Sequence, residues 1–318
     1  MSLVFSRDLK EGSRRTSENR APDGSRSKAP PGPHCPVCAG TFEFLYSIDR
    51  FSPSFDILRC RNCGLERRAA FPADVSEFYD ADYYEGRAEY SYRDERKKTR
   101  YDDYVFRARL KNIARFTAPP ADFLDVGCAF GSFVAAAGRA GYRARGLDVS
   151  PYAVEEGRSR GLDLRRGELS PGVYPPGSFD VATLIEVLEH LPDPETALGT
   201  LAEILRPGGL LVLQTANYAG LQARRAGADY HYYLPGHLFY YSAANLRALL
   251  ARHGFTRAIL YRPVDFGLLP KLLKSRGDFQ TPLDYLRWAR IAWYHMKGKI
   301  AWRDFALTSS MVLYAFRD

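Results

Sequence analysis

The chain has 318 residues, a net charge of +8, 46% hydrophobic and 26% charged residues, a globular composition with room for one α/β domain and a smaller module. No run approaches the roughly 20 uninterrupted apolar residues that span a bilayer. The first thirty residues lack the apolar stretch of a secretory signal, so a cytoplasmic location is the expectation. The excess charge is peripheral: seven Lys/Arg against four Asp/Glu over residues 1–33, and nine against four over 262–305. The remainder is neutral, which makes nucleic acid a weak expectation as a partner.

Residues 1–33 are rich in Ser, Arg, Pro and Gly without hydrophobic period and read as a disordered tail. Residues 34–68 are too few to support a hydrophobic core of their own. They carry Cys35-Pro-Val-Cys38 and Cys60-Arg-Asn-Cys63, separated by 21 residues. In a chain without a signal segment, two such pairs read as metal ligands rather than disulfides. Four thiolates complete a closed tetrahedral shell with no open position, so a structural Zn2+ is expected on Cys35, Cys38, Cys60 and Cys63. Its binding, on the order of 10 kcal/mol, replaces the missing core. His34 adjoins Cys35 but finds the shell filled.

Residues 69–117 form a Tyr-rich linker or cap with Tyr79, Tyr83, Tyr84, Tyr90, Tyr92, Tyr101 and Tyr104. Its second half, Asp94 to Phe116, reads as helix, with apolar positions at Tyr101, Val105, Leu110 and Ile113, and Pro119 and Pro120 close it. Over 118–318, strand and helix patterns alternate, as in a parallel sheet with crossovers. Strands are expected at Phe123–Val126, Ala144–Leu147, Asp180–Ile185, Leu210–Thr215, Ala258–Tyr261 and Met311–Phe316. Helices are expected near Ser132–Ala140, Ala153–Arg160, Pro194–Leu205 and Ala243–His253. Gly141, Gly161 and Gly254 each follow a helical run as a C-terminal cap would.

The central signal is Phe123-Leu-Asp-Val-Gly-Cys-Ala-Phe-Gly-Ser-Phe133, a buried strand, a Gly-rich turn and a helix start. Asp148 closes the next strand, where an acid can accept hydrogen bonds from two ribose hydroxyls. No Lys-Ser/Thr follows the turn, which excludes a P-loop. A dinucleotide favours glycine where its pyrophosphate meets the helix, yet the central position is Ala129 and Asp125 precedes the turn. A carboxylate there repels phosphate and suits a cofactor bearing an ammonium and a sulfonium.

These residues resemble the class I S-adenosylmethionine (SAM)-dependent methyltransferases over most of 122–261. Asp125-Val-Gly127-Cys-Ala129-Phe-Gly131 is similar to the family's first motif, and Asp148 to its ribose-binding acid, followed by Val149. Gly167-Glu168-Leu169 falls where the family contacts adenine. Ser178 to Pro194, with Glu186, resembles the fourth-strand motif, which passes the methionine moiety. Leu205-Arg-Pro-Gly-Gly-Leu-Leu-Val-Leu213 resembles the turn into the fifth strand. The departures are Ala129, where glycine is common, and Glu168, where aspartate is more usual. The resemblance implies a doubly wound, mostly parallel seven-stranded α/β sheet beside the small N-terminal zinc ribbon. Its last two strands form an antiparallel hairpin, here interrupted by a helical insertion over about 262–305.

Three histidines are candidates for catalysis because topology places them at the carboxyl ends of strands. His190 follows the fourth strand, as in O-methyltransferases similar to the ubiquinone-pathway type. His231 and His237 lie in a run after the fifth strand whose Pro-x-His-Leu resembles zinc-ribbon methyltransferases of polysaccharide and secondary-metabolite pathways. Each has a plainer reading, as a loop-packing or helix-capping residue. The basic insertion holds all three tryptophans (Trp288, Trp293 and Trp302) and reads first as a cover packed on the sheet, with a membrane-surface contact or an acceptor lid as alternatives.

The primary expectation is methylation of an oxygen or carbon of a small-molecule acceptor: a sugar, nucleotide sugar or glycan precursor. A zinc ribbon joined through a Tyr-rich segment resembles deoxysugar C-methyltransferases. Those usually carry a further C-terminal domain, and this chain ends soon after its final strand, which sets O-methylation ahead. The alternatives are an RNA methyltransferase, which needs a continuous basic groove, and a non-catalytic SAM-binding module.

Overall fold

A computed structural model describes residues 34–72, 83–84, 94–97, 99–302 and 305–318. The expected disordered tail, and Tyr79, Tyr90 and Tyr92 of the linker, lie outside these residues. The described residues open with three antiparallel strands, β1 (Phe42–Ile48), β2 (Phe55–Cys60) and β3 (Glu66–Arg68). The linker continues as helix α1 (Thr99–Ile113). Then follow β4 (Asp122–Val126), α2 (Ser132–Arg139), β5 (Arg143–Asp148), α3 (Pro151–Ser159), β6 (Leu164–Arg166), β7 (Phe179–Ile185), α4 (Pro194–Ile204) and β8 (Leu205–Ala216). The remainder is α5 (Leu221–Ala226), β9 (Phe239–Tyr240), α6 (Ala243–Arg252), β10 (Arg257–Tyr261), α7 (Leu268–Ser275), α8 (Leu286–Lys297), a short hairpin of β11 (Ala301–Trp302) and β12 (Phe305–Ala306), and β13 (Ser310–Phe316).

Seven strands form one sheet in the order β10-β13-β8-β7-β4-β5-β6. The five from β8 to β6 are parallel, and β13 runs antiparallel to both neighbours. This is the doubly wound, mostly parallel architecture expected from the alternating pattern. Near-continuous apolar runs such as Leu210–Leu213 are buried on both faces, as a sheet covered by helices requires. The Leu205–Gly209 turn is drawn into β8, with a register shift opposite β7 between Phe179 and Val181. The order of the strands reverses at β4, whose carboxyl end therefore opens a crevice for a ligand.

The three N-terminal strands do not stand apart. Strand β9, from the loop after the fifth parallel strand, pairs with β3 as a fourth strand, with Glu66 opposite Tyr240 and Arg67 opposite Phe239. Cys35, Val37, Cys60 and Leu65 share one core with Leu238, Phe239, Tyr241 and Leu246. The missing core of the short N-terminal segment is thus supplied partly by the larger domain.

The insertion between β10 and β13 packs along α1 rather than directly on the sheet. Lys274 of α7 meets Asp102 of α1 at 2.8 Å in a buried ion pair. At the insertion's root, Arg109 of α1 pairs with Asp265 at 2.9 Å, and the Tyr314 hydroxyl donates to the same carboxylate at 2.6 Å. Desolvation costs both ions, so their pairing is what makes this burial tolerable. Helix α8 then lies outermost, against α7.

Candidate active site

The turn after β4 is shaped by backbone conformations that few side chains tolerate. Gly127, Ala129 and Gly131 all have left-handed φ, at 69°, 48° and 75°. A Cβ on Gly127 would come within 2.4 Å of Val187 Cγ2, so glycine is needed there for both conformation and space. Ala129 is held in its strained conformation by donating its N–H to Asp148 Oδ2 at 2.8 Å. Asp148 Oδ1 accepts from Ser150 N at 2.9 Å. Burial raises the Asp148 pKa, and these N–H groups oppose the rise.

Asp125 is buried beneath the turn, its Oδ1 accepting from the Thr183 hydroxyl at 2.5 Å. Glu186, at the end of β7, also has a left-handed φ, 58°. Its Oε1 accepts from Gln214 Nε2 at 2.9 Å, and the Gln214 side-chain oxygen accepts from Arg109. Asp125, Gly127 and Glu186 line a cavity of about 740 Å3 that runs out to the insertion. Val149 lies just past Asp148, half-buried. Glu168 and Leu169 follow β6, whose Arg166 stands beside Asp148 in the sheet. Glu168 is exposed and Leu169 packs on the core, and neither lines the cavity.

His190 ends a single 3-10 turn after β7, formed by Leu188–His190. The Gly236 carbonyl lies 2.8 Å from its Nδ1. A carbonyl only accepts, so the neutral ring carries its proton on Nδ1 and leaves Nε2 as a base. The His237 ring meets it edge to face, with centroids 4.6 Å apart. A second clasp, Leu238 N to Glu189 O at 2.7 Å, binds the two segments together. One polar atom each from Glu189, His190 and His237 lies within 4.8 Å of the other two.

Desolvation dominates the titration of this group. It lowers His190 to about 4 and His237 well below the ordinary value, and with Glu186 nearby it raises Glu189 to about 8. At neutral pH both rings are uncharged and Glu189 is largely protonated. The three line a small chamber of about 10 Å3 that shares the walls Glu186, Tyr232 and Ser310 with the large cavity. His231 stands apart, exposed, lining the large cavity only.

Several residues at the site carry no signal of their own in the sequence. Glu189 was within a recognised motif but carried no distinct signal. Tyr84 of the linker places its hydroxyl 3.5 Å from Asp148 Oδ1 and packs on Phe130, and Tyr83 lines the small chamber. Arg109, Gln214 and Asp265 are joined only by the fold.

At the other centre, the sulfurs of Cys35, Cys38, Cys60 and Cys63 all lie within 4.8 Å of one another. The Cys35–Cys63 and Cys38–Cys60 separations are 3.5 Å, close to the edge of about 3.8 Å of a tetrahedron with Zn–S bonds near 2.3 Å. Backbone N–H groups of Val37 and Cys38 face the Cys35 sulfur, and those of Asn62 and Cys63 face that of Cys60. Such donors suit thiolates. The left-handed residue of the first turn is Ala39, φ 56°. Gly40 packs closely instead, a Cβ there standing 2.8 Å from the Asn62 side-chain nitrogen and 3.1 Å from the Cys60 sulfur.

The sheet order, with β13 antiparallel between β10 and β8, is that of the class I SAM-dependent methyltransferase fold. A family model described as a methyltransferase domain matches residues 98–258, about half of the chain, and the chain belongs to that family. It is 36% identical over 126 residues to a ubiquinone biosynthesis O-methyltransferase of Xanthomonas campestris pv. campestris (strain B100), covering 37% of this chain and 53% of the relative. The counterpart in Xanthomonas euvesicatoria pv. vesicatoria (strain 85-10) is 35% identical over 132 residues, covering 38% and 55%. The chain thus spans about half the length of these curated relatives. Among solved structures, phosphoethanolamine N-methyltransferase 2 of Haemonchus contortus, in complex with S-adenosyl-L-methionine, superposes with a TM-score of 0.53. Its identity is 13%, with 87% of this chain and 68% of that one covered. That likeness is one of fold.

Proposed function

We propose that the enzyme transfers a methyl group from SAM to an oxygen of a small metabolite, with His190 as general base and His237 beside it. The observation that carries this is the His190–His237 pair, with His190 held by Gly236, in a small chamber that shares the walls Glu186 and Tyr232 with the large cavity. The bound cofactor supplies an electrophilic methyl group on a sulfonium. Asp125, Gly127, Ala129, Gly131, Asp148, Val149, Glu168, Leu169 and Glu186 are proposed to hold it. Carboxylates at Asp125 and Glu186 favour its positive charges over a phosphate-bearing cofactor.

His190 Nε2 would take the proton of the acceptor hydroxyl, whose oxygen would gain the methyl group as the carbon–sulfur bond breaks and S-adenosylhomocysteine leaves. The buried imidazole is uncharged at neutral pH, but a ring lowered to about 4 is a weak base, so its protonation in the step depends on nearby negative charge such as Glu186. His231, in the wall of the large cavity, contacts the acceptor. The names of the curated relatives support transfer to oxygen. A sugar, nucleotide sugar or glycan precursor remains the proposed acceptor class, supported by Lys271 in the cavity wall, which suits an anionic group. Residues 34–68 are proposed as a ribbon around a structural zinc, 69–117 as a cap and 118–318 as the catalytic domain.

The test is a methylation screen of metabolite extracts read by mass spectrometry, run with wild type, His190→Ala and His237→Ala. The expected result is a product gaining one methyl group on oxygen in wild type alone. Full turnover in both variants overturns the assignment of the base.

A further inference from the structure

Helix α8 has two apolar faces, one half-buried against the protein and one exposed. Ile291 and Trp288 face inward, with Trp288 Nε1 donating to the Ser275 hydroxyl of α7 at 3.0 Å. The opposite face carries Leu286, Trp293 and Met296, which are 70%, 58% and 54% exposed. Helical geometry puts these three on one stripe, spaced seven and three residues apart. Leu283 just before the helix and Ile300 and Trp302 after it are 75%, 59% and 75% exposed. Most of the large exposed apolar side chains among the described residues fall in this one insertion. Scattered apolar side chains on a surface need no explanation, but a contiguous stripe marks an interaction site.

Charge decides what fits the stripe. Lys297, Arg290 and Arg287 run along its flank, and Lys299 follows the helix. From Pro282 to Trp302 there are four Lys/Arg and one acid, Asp284, already paired with Arg287 at 3.1 Å. A two-fold contact between copies of this chain would set that cationic flank against itself. An anionic lipid surface satisfies both halves at once, taking the indole and aliphatic groups at the headgroup boundary and the cations at the phosphates. The helix has too few residues to cross a bilayer and no described helix is apolar and long enough to do so, so the contact is one of lying on the surface.

We infer that the exposed face of α8, with Leu283, Ile300 and Trp302 at its ends, docks the enzyme on an anionic membrane surface. The large cavity is lined by Arg287, Arg290, Trp293 and Lys297 of the same helix, so its mouth opens beside the docked face.

The experiment uses the full chain with vesicles of phosphatidylcholine alone or mixed with phosphatidylglycerol. Leu286→Glu/Met296→Glu is the variant: both residues are exposed and neither lines the cavity. Wild type is expected to sediment with the anionic vesicles, with a blue-shifted tryptophan emission, and to be released by raising salt. The double variant should lose about tenfold or more in vesicle affinity while binding S-adenosylhomocysteine as wild type does. The inference is overturned if wild type stays in the supernatant, or if it binds neutral vesicles equally. It is also overturned if analytical ultracentrifugation shows a dimer that the double variant dissolves, since the occupant is then a second copy.

Discussion

The Tyr233 hydroxyl donates to Glu66 Oε2 at 2.6 Å, joining the loop that carries His231 and His237 to a strand of the cysteine-bearing segment 167 residues earlier. Glu66 also receives Arg59 at 2.6 Å and is buried. Around this pair, the Arg50 guanidinium donates to the carbonyls of Ala228, Tyr230 and Tyr233, and Arg68 N donates to Leu238 O at 2.9 Å. The N-terminal segment therefore acts as a bracket for residues 228–240. His237 lies within that braced stretch.

Tyr233→Phe removes one hydrogen bond to a buried carboxylate and leaves the ring's volume. The expected loss of stability is about 1–3 kcal/mol, read as a lower urea midpoint with an unchanged slope. Turnover should fall more than SAM affinity, because the loosened loop carries His237 and not the cofactor turn. Equal losses in both would place the bracket's effect on the whole domain.

His190→Ala and His237→Ala should each leave S-adenosylhomocysteine binding near normal by calorimetry, since neither residue belongs to the Gly127–Gly131 turn. The loss of a general base is expected to lower turnover about 100-fold or more. His231→Ala is expected to act on acceptor KM instead, as its ring lines only the large cavity.

The pH dependence follows from burial. His190 is lowered to about 4 in the fold from its ordinary 6.5, so its contribution to stability is full above 6.5 and is lost as pH falls toward 4. Glu189 is raised from 4.5 to about 8; its contribution is full below 4.5 and is lost as pH rises through 8. Glu189→Gln cannot ionise, so its melting temperature should decline less than that of wild type between about pH 5 and pH 9. The acid limb of kcat/KM should fall below pH 6.5, near the lowered value of His190. A limb at 6.5 would mean that the titrating histidine is solvated.

Much of the frame was legible because its signals are local. Asp125 and Gly127 announce themselves by strand, turn and helix order, and Gly141, Gly161 and Gly254 do take the left-handed conformation expected of helix ends, with φ of 96°, 79° and 78°. Strand β6 escaped notice because it has three residues, two of them exposed arginines, and too few alternations to register a period. The fourth ribbon strand escaped for a different reason. Phe239–Tyr240 is two residues long and becomes a strand only by pairing with β3, an interaction across more than 170 residues. The Arg109–Asp265–Gln214 network is likewise a product of packing, since nothing near Arg109 in sequence foretells a buried acid 156 residues away. The insertion was expected on the sheet, but its buried Lys274 finds its partner, Asp102, on α1.

Gly127→Ala tests the cofactor turn. The added methyl meets Val187 at 2.4 Å in a backbone conformation, φ 69°, that L-residues avoid at about 1–2 kcal/mol. Pairing it with Val187→Ala relieves the clash and leaves the backbone strain. Calorimetry with S-adenosylhomocysteine should find binding largely lost in the single variant and partly restored in the double. Restoration to wild-type affinity would mean that the conformation of Gly127 is immaterial and only space counts.

The metal and the loop should be coupled through β3. Mass spectrometry under native conditions is expected to find one zinc per chain, and Cys60→Ser is expected to abolish it. Because the Cys35–Cys63 site closes the hairpin from which β3 emerges, its loss should release β9 from pairing at Glu66 and Arg67. Hydrogen exchange should then rise at Phe239 and Tyr240 and on through His237, while amides of β4 and β5 at the cofactor turn stay protected. Should exchange rise equally in both regions, the metal would be stabilising the domain as a whole. Should it rise in neither, the shared core around Leu65, Leu238 and Phe239 would suffice to hold the loop without any metal.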